Sequence, residues 1–261
     1  MDEILSVVAD CILKAESILF IVGAGLSADS GLPTYRGVGG LFEGILTQEG
    51  VPIEEAISKN MLQTRPEVTW KYLWQIGAAC HKAKFNRGHE IIAQIESWKP
   101  GTWVLTQNID GFERAAGSKN LIQVHGQLSE LFCVNCSYRT TAEELLAGYS
   151  KPMDLPPKCP ACEGLIRPDI ELFGEHHMSS SEETFKILDN APIDLIFLIG
   201  TSRDYQYITK PLYKARRLNV PIVEINPAET VLSEIANYHI LSTAADTLDK
   251  LWNICEKQLV S

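Results

Sequence analysis

Residues 21–37 read IVGAGLSADSGLPTYRG and continue the apolar run Ile18-Leu19-Phe20-Ile21-Val22. Such a run predicts a buried strand. Gly23 and Gly25 end it in a turn with almost no side chains, so something must lie close against that backbone. Working outward, Ile4, Val8 and Ile12 stand at helical spacing and predict an amphipathic helix over residues 3–15. Compact apolar runs predict further strands at Thr102 to Leu105, Asp194 to Ile199 and Pro221 to Ile225. Helical patterns lie between most of them, so the fold expected is α/β, an open parallel sheet with helices on both faces. Two stretches break the alternation and read as insertions. Residues 38–85 carry a Trp70, Tyr72, Leu73, Trp74 cluster, and residues 129–170 carry paired cysteines and the turn-prone KPMDLPPKCP.

Composition limits what the chain can do. Its 261 residues are 45% hydrophobic and 21% charged, with no low-complexity tract or internal repeat, which favours one folded unit. A net charge of -10 argues against direct nucleic-acid binding, because a phosphate backbone would be repelled over most of the surface. A basic substrate suits it better. No window approaches the roughly 18 apolar residues of a membrane span, and Met-Asp-Glu-Ile lacks the basic start of a signal peptide. The expectation is therefore no membrane and a cytoplasmic protein, or a nuclear one in a eukaryote. Seven cysteines, an odd number, argue against a disulfide framework, and Cys11, Cys80 and Cys255 read as buried thiols.

Three segments carry chemistry. The turn at Gly23 and Gly25, followed by a helix N-terminus, suits the pyrophosphate of a dinucleotide. Yet Ala28 holds the third position of G-x-G-x-x-G, no acid obviously caps a second strand, and a tight turn built for its own sake fits as well. Thr106, Gln107, Asn108 and Asp110 follow a strand end, where open α/β sheets bind ligands; an amide beside a carboxylate suits a carboxamide, although a capped loop would look the same. His125, between an apolar run and a glycine, has the near-neutral pKa of a general base, or is a structural hydrogen-bonder. The other histidines read as surface or packing residues. The signal is sharper at Cys133, Cys136, Cys159 and Cys162, two C-x2-C pairs separated by twenty-two residues. This resembles the four-thiolate zinc ribbon, a closed site in which the metal is structural.

In order and spacing, GAGLSADSGLPTYRG, TQNIDGFERAAG, VHG, the cysteine pairs, RPDIELFGE, GTS and EIN resemble the sirtuin family of NAD-dependent protein lysine deacylases across residues 18–250. Little is left over at either end, as in the compact prokaryotic members. The resemblance implies a Rossmann-like NAD-binding domain (1–37, 86–128 and 171–261) and a smaller domain made of a helical insertion (38–85) and a zinc-ribbon insertion (129–170). NAD and one structural zinc ion are the implied cofactors, and acyl-lysine proteins or peptides the partners. Gly23, Ala24, Gly25, Asp29, Tyr35 and Arg36 would line the cofactor loop. Gln107, Asn108 and Asp110 would surround nicotinamide and its ribose, and Gly200, Thr201, Ser202 and Asn226 would hold the adenosine half. Asn108 and Asp110 would favour bond cleavage. His125 would be the general base, and Ile170, Leu172 and Phe173 would border the acyl-lysine tunnel and pair with the peptide backbone.

The implied reaction is attack of the acyl oxygen on C1' of the nicotinamide ribose as nicotinamide leaves, giving an O-alkylimidate. A ribose hydroxyl, deprotonated with help from His125, then attacks it. The products are free lysine, nicotinamide and O-acetyl-ADP-ribose. Mono-ADP-ribosyl transfer to protein would use the same cleft, and a non-catalytic NAD- and zinc-binding module is the third reading. Tyr35 stands where the family usually has Phe, Glu171 where it usually has an apolar residue, and GTSRDY lacks the usual apolar residues after GTS. Members that remove succinyl or malonyl groups carry a Tyr-x-x-Arg pair on the helix bordering the acyl pocket. Alignment on Pro66 puts Leu73 and Ile76 at those positions, which predicts acetyl-lysine and longer aliphatic acyl-lysines over succinyl-lysine.

Overall fold

The computed structural model describes residues 2–34, 46–147, 155–175, 186, 188–202 and 205–260. Its centre is the strand expected from the opening stretch, β1 (Ile18–Val22), buried along its whole length. β2 (Trp103–Thr106), β3 (Leu121–Gln123), β7 (Leu195–Ile199), β8 (Ile222–Ile225) and β9 (Tyr238–Ile240) complete a sheet of order β3-β2-β1-β7-β8-β9. Every pairing in it is parallel. The chain builds outward in one direction from β1 to β3, crosses back, and builds outward in the other from β7, which is the Rossmann-like order.

The apolar run of β1 feeds both faces of the sheet because successive side chains of a strand point to opposite sides. Ile18, Phe20 and Val22 join one core with α1 (Asp2–Lys14), α6 (Arg87–Trp98) and α10 (Ala244–Val260). Leu19 and Ile21 join the other with Ile208, Leu212 and Ala215 of α9 (Gln206–Leu218). Phe20 stacks on Phe197 at 5.1 Å between ring centroids, locking β1 to β7.

The helix expected after the glycine turn is short. α2 covers only Ala24–Ala28, and Gly31, at φ +82°, carries the chain away from it. Two edge strands, β3 and β9, escaped the sequence reading because three residues are too few for an apolar pattern.

Among the described residues of the first insertion lie α3 (Ile53–Ala56), α4 (Lys59–Thr64) and α5 (Pro66–Lys82). Around the cysteines, β4 (Gly126–Cys133), β5 (Arg139–Thr141) and β6 (Ile166–Ile170) make an antiparallel sheet of order β5-β4-β6, with α8 (Ala142–Leu146) following β5. One apolar cluster joins the two regions: Trp70 and Leu73 of α5 pack with Leu131, Cys133, Ile166 and Leu172. The Trp70 indole N–H donates to the Ile166 carbonyl at 2.9 Å.

Candidate active site and metal centre

Between β1 and β7 the direction of building reverses, and open α/β sheets bind ligands in the crevice outside the carboxyl ends of the strands at such a point. Gly23 and Gly25 sit there, and their close neighbour is backbone from β7. The Gly25 N–H donates to the Gly200 carbonyl at 3.0 Å, and a Cβ on Gly25 would stand 2.5 Å from the Gly200 Cα. Gly200 itself has φ +58°. Three glycines let two loops touch at backbone distance at the mouth of the crevice. Ala24 follows in the same turn, whereas Asp29 is exposed and its carboxylate accepts the Ala245 N–H of α10 at 2.9 Å. Tyr35 and Arg36 lie outside the described residues.

The segment after β2 fills the floor. Gln107 reaches across β1, its amide donating to the Thr201 hydroxyl at 2.8 Å and its backbone N–H to the Val22 carbonyl. Asn108, buried, donates to the Gly23 carbonyl at 3.1 Å. Asp110 accepts from the Ser27 hydroxyl at 2.7 Å and from the Phe112 N–H at 2.9 Å. Burial raises its pKa, and those two donors oppose the rise. Asn226, at the end of β8, donates to the Thr201 carbonyl at 3.2 Å, while Ser202 is exposed beside it. Gln107, Thr201 and Asn226 are thus drawn together across β1, β2, β7 and β8.

His125 lies between β3 and β4. Its Nδ1 is 2.9 Å from the Gln107 carbonyl oxygen, which can only accept, so Nδ1 carries the proton and Nε2 a lone pair. Burial lowers the imidazole pKa, opposed by the Gln107 hydrogen bond and by the Glu171 charge. A neutral, part-buried imidazole with a bare Nε2 is competent to take a proton. Four participants were not picked out as site residues from the sequence: Ser27, Glu113, Glu171 and Tyr207. Glu113 is buried against Asp110 and accepts from the Thr106 hydroxyl at 2.7 Å. It lies in α7 (Phe112–Ala115), and its partner Thr106 stands seven residues upstream, so no local pattern marks it. Tyr207, 82 residues from His125, gives no local signal.

Ile170 and Leu172 are buried, and Phe173 is exposed at a cleft of about 440 Å³ shared with Ser58, Lys59 and Gln63. Much of this segment's backbone is already engaged. The Phe173 N–H donates to Ile57 and its carbonyl accepts from Lys59, while Ile170 accepts from the Arg167 guanidinium. A peptide strand therefore cannot pair along all of 170–173 without displacing these bonds.

The four cysteines converge. Their sulfurs all lie within 4.8 Å of one another, with Cys133 to Cys162 at 3.5 Å and Cys136 to Cys159 at 3.7 Å. Zn–S bonds of about 2.3 Å in a tetrahedron place sulfurs about 3.75 Å apart, so the quartet fits zinc with no position left for water.

Fold and site together define a Rossmann-like α/β protein with a four-cysteine module set beside its crevice. The model of the Sir2 family matches residues 23–206. The chain is 43% identical over 250 residues to NAD-dependent protein deacylase 2 of Pseudomonas aeruginosa, covering 95% of each chain. It is 30% identical over 239 residues to the NAD-dependent protein deacylase of Aquifex aeolicus, covering 91% of this chain and 94% of that one. Among solved structures it is similar to a Sir2 homolog–NAD complex, at a TM-score of 0.82 and 29% identity over 97% of this chain and 94% of that one. A Sir2–p53 peptide–NAD+ complex gives 0.78 and 25% over 97% of each. The chain belongs to the Sir2 family.

Proposed function

We propose that this protein is an NAD-dependent protein-lysine deacetylase, releasing nicotinamide and O-acetyl-ADP-ribose. The observation that carries the proposal is the Nδ1 contact of His125 with the Gln107 carbonyl, which leaves Nε2 unprotonated beside the residues Gln107, Asn108 and Asp110 that meet the glycine turn. When bound, NAD supplies an activated ribosyl carbon and a nicotinamide leaving group. The residues available suit it: alcohol and amide donors at Thr201, Ser202 and Asn226 for hydroxyls, and glycine backbone at Gly23, Gly25 and Gly200 for close approach. In this reading Asn108 and Asp110 hold the carboxamide and His125 accepts the ribose proton. Ala24 belongs to the cofactor turn, Asp29 after it is bonded to Ala245, and Tyr35 and Arg36 are assigned by the family resemblance to the segment that keeps water out. Cys133, Cys136, Cys159 and Cys162 hold a structural zinc, and Ile170, Leu172 and Phe173 border the acyl-lysine.

The same reading divides the chain as the sequence suggested, with 1–37, 86–128 and 171–261 carrying NAD, and 38–85 with 129–170 forming the smaller part. It is supported by the separate apolar cluster that α5 shares with the small sheet. A cytoplasmic location is proposed on the reduced cysteines that such a metal site needs, and no described helix is long and apolar enough to cross a membrane. Incubating the protein with NAD and an acetyl-lysine peptide, then identifying the products by mass spectrometry, tests the function. O-acetyl-ADP-ribose with free lysine is expected, and an ADP-ribosylated acceptor or no turnover would overturn it.

A further inference from the structure

The imidazole of His125 is held from three directions. With Nδ1 fixed on the Gln107 carbonyl, Nε2 faces the Tyr207 hydroxyl of α9 at 3.1 Å and Glu171 Oε2, just past β6, at 3.7 Å. Neither approach is loose. The Tyr207 ring meets the imidazole edge to face, 5.8 Å between centroids, and stacks on Tyr205 behind it. The Glu171 N–H donates to the His125 carbonyl at 3.0 Å, tying the two backbones together. Among the described residues, Glu171 and Tyr207 are the titratable groups that face this ring, with Tyr205 in the next layer.

We propose that Glu171 and Tyr207 are positioning residues that set the proton affinity of His125 in opposite senses, the phenol favouring the neutral imidazole and the carboxylate favouring the imidazolium. The inference rests on the reading of His125 as the general base. A phenol is a better donor than acceptor, and its O–H can bond Nε2 only while Nε2 is bare. A carboxylate gains nothing from a neutral ring, but at 3.7 Å it forms an ion pair once Nε2 is protonated. The two states have different partners already in place. In the proton step, the ribose O–H bond breaks and its proton passes to Nε2. The oxygen's electron pair would then attack the imidate carbon as the C=N π pair passes to nitrogen, and the positive charge created on the imidazole would lie beside Glu171. The Tyr207 hydroxyl donates to Nε2 until the hydroxyl that will be deprotonated takes its place.

The test is an NMR titration of the His125 imidazole in the protein without NAD, its resonance assigned by its loss in His125→Ala. Glu171→Gln, which keeps shape and removes charge, is expected to lower the midpoint by about one pH unit. Glu171→Asp should restore part of the shift, and Tyr207→Phe should raise the midpoint by removing the donor to the neutral ring. The acid limb of the pH profile for kcat should move in the same directions. Midpoints that stay within about 0.2 pH of the parent, or that move together in both variants, would overturn the proposal. Because the titration needs no NAD, it can fail while the parent deacylates and succeed while the parent does not, so the two readings are judged separately.

Discussion

Glu113 has almost no exposed surface and feels the charge of a half-buried carboxyl, Asp110. Burial, then the Asp110 charge, holds its pKa above the usual carboxylate range. A carboxyl raised in the folded state costs nothing below its unfolded pKa, because both states are then protonated. The cost grows as pH rises from the ordinary range through the raised value and is complete above it. Glu113→Gln removes the charge, so it should match the parent in Tm near pH 4 and exceed it near pH 8. Equal Tm values at both pH values would show that the buried charge carries no such cost. The other acidic neighbour, Glu171, bears on which acyl group is accepted. The ribose hydroxyl must reach His125 Nε2 for the chemistry above, and Glu171 sets a negative charge 3.7 Å from that nitrogen, which disfavours a second carboxylate on the acyl chain brought there. Gln107, Asn108, Asp110 and His125 could be read from the sequence because each lies in a short polar stretch past an apolar run. Tyr207 and Glu171 could not, because their roles arise only where α9 and the end of β6 meet His125 in space.

Helix α5 supports the same acyl choice. Leu73 is buried in the small core and Ile76 packs against it, so neither position offers a carboxylate receptor. Lys71 and Tyr72, a register away, are both held by Glu49. The kcat/KM for acetyl-lysine should exceed that for succinyl-lysine on one peptide by at least about tenfold, ~1.4 kcal/mol of discrimination. A succinyl preference would refute it. The turn between β1 and α2 is equally exposed to test. Gly25→Ala drives a methyl group into the Gly200 backbone, and overpacking of this kind costs about 3 kcal/mol, a fall of roughly 6–12 °C in Tm at this chain length. At Gly31 the added Cβ meets nothing within 4 Å, so Gly31→Ala should cost only its left-handed backbone, about 1–2 kcal/mol. Equal losses in calorimetry would show that the close contact with β7 is not what the glycine serves. Cys159 is buried under the small sheet, and Cys159→Ala should release zinc, measured by metal analysis, and lower Tm with it. A variant that lost its metal yet kept the parent Tm would remove zinc from the stability of this element. The strands of the main sheet with apolar runs were legible to within a residue or two, because burial on both faces leaves few alternatives. The five-residue length of α2 was not, since it depends on where Gly31 turns the chain.

The whole molecule carries a charge of -10, which should draw basic peptides toward it and lose that pull as salt shortens the Debye length to about 8 Å near physiological strength. The KM for an acetyl-lysine peptide flanked by Lys and Arg is expected to rise with ionic strength, and that for an uncharged peptide to stay flat. Parallel salt dependence would place the attraction elsewhere. The arrangement of strands is the part of the architecture that local patterns expose least, since nothing in ILFIV says that its neighbours are residues 103–106 and 195–199. That pairing also imposes an order of assembly. On the ribosome β1 can meet β2 as soon as residue 106 has emerged, but its other edge stays bare while residues 107–199 are added, on the order of 5 to 20 s at typical synthesis rates. Throughout that interval the nascent chain presents an unpaired, fully apolar strand edge, and Gly25 has no Gly200 to close upon. A slow stretch of translation within those residues would lengthen the exposure, which makes the yield of folded protein sensitive to codon usage between β2 and β7.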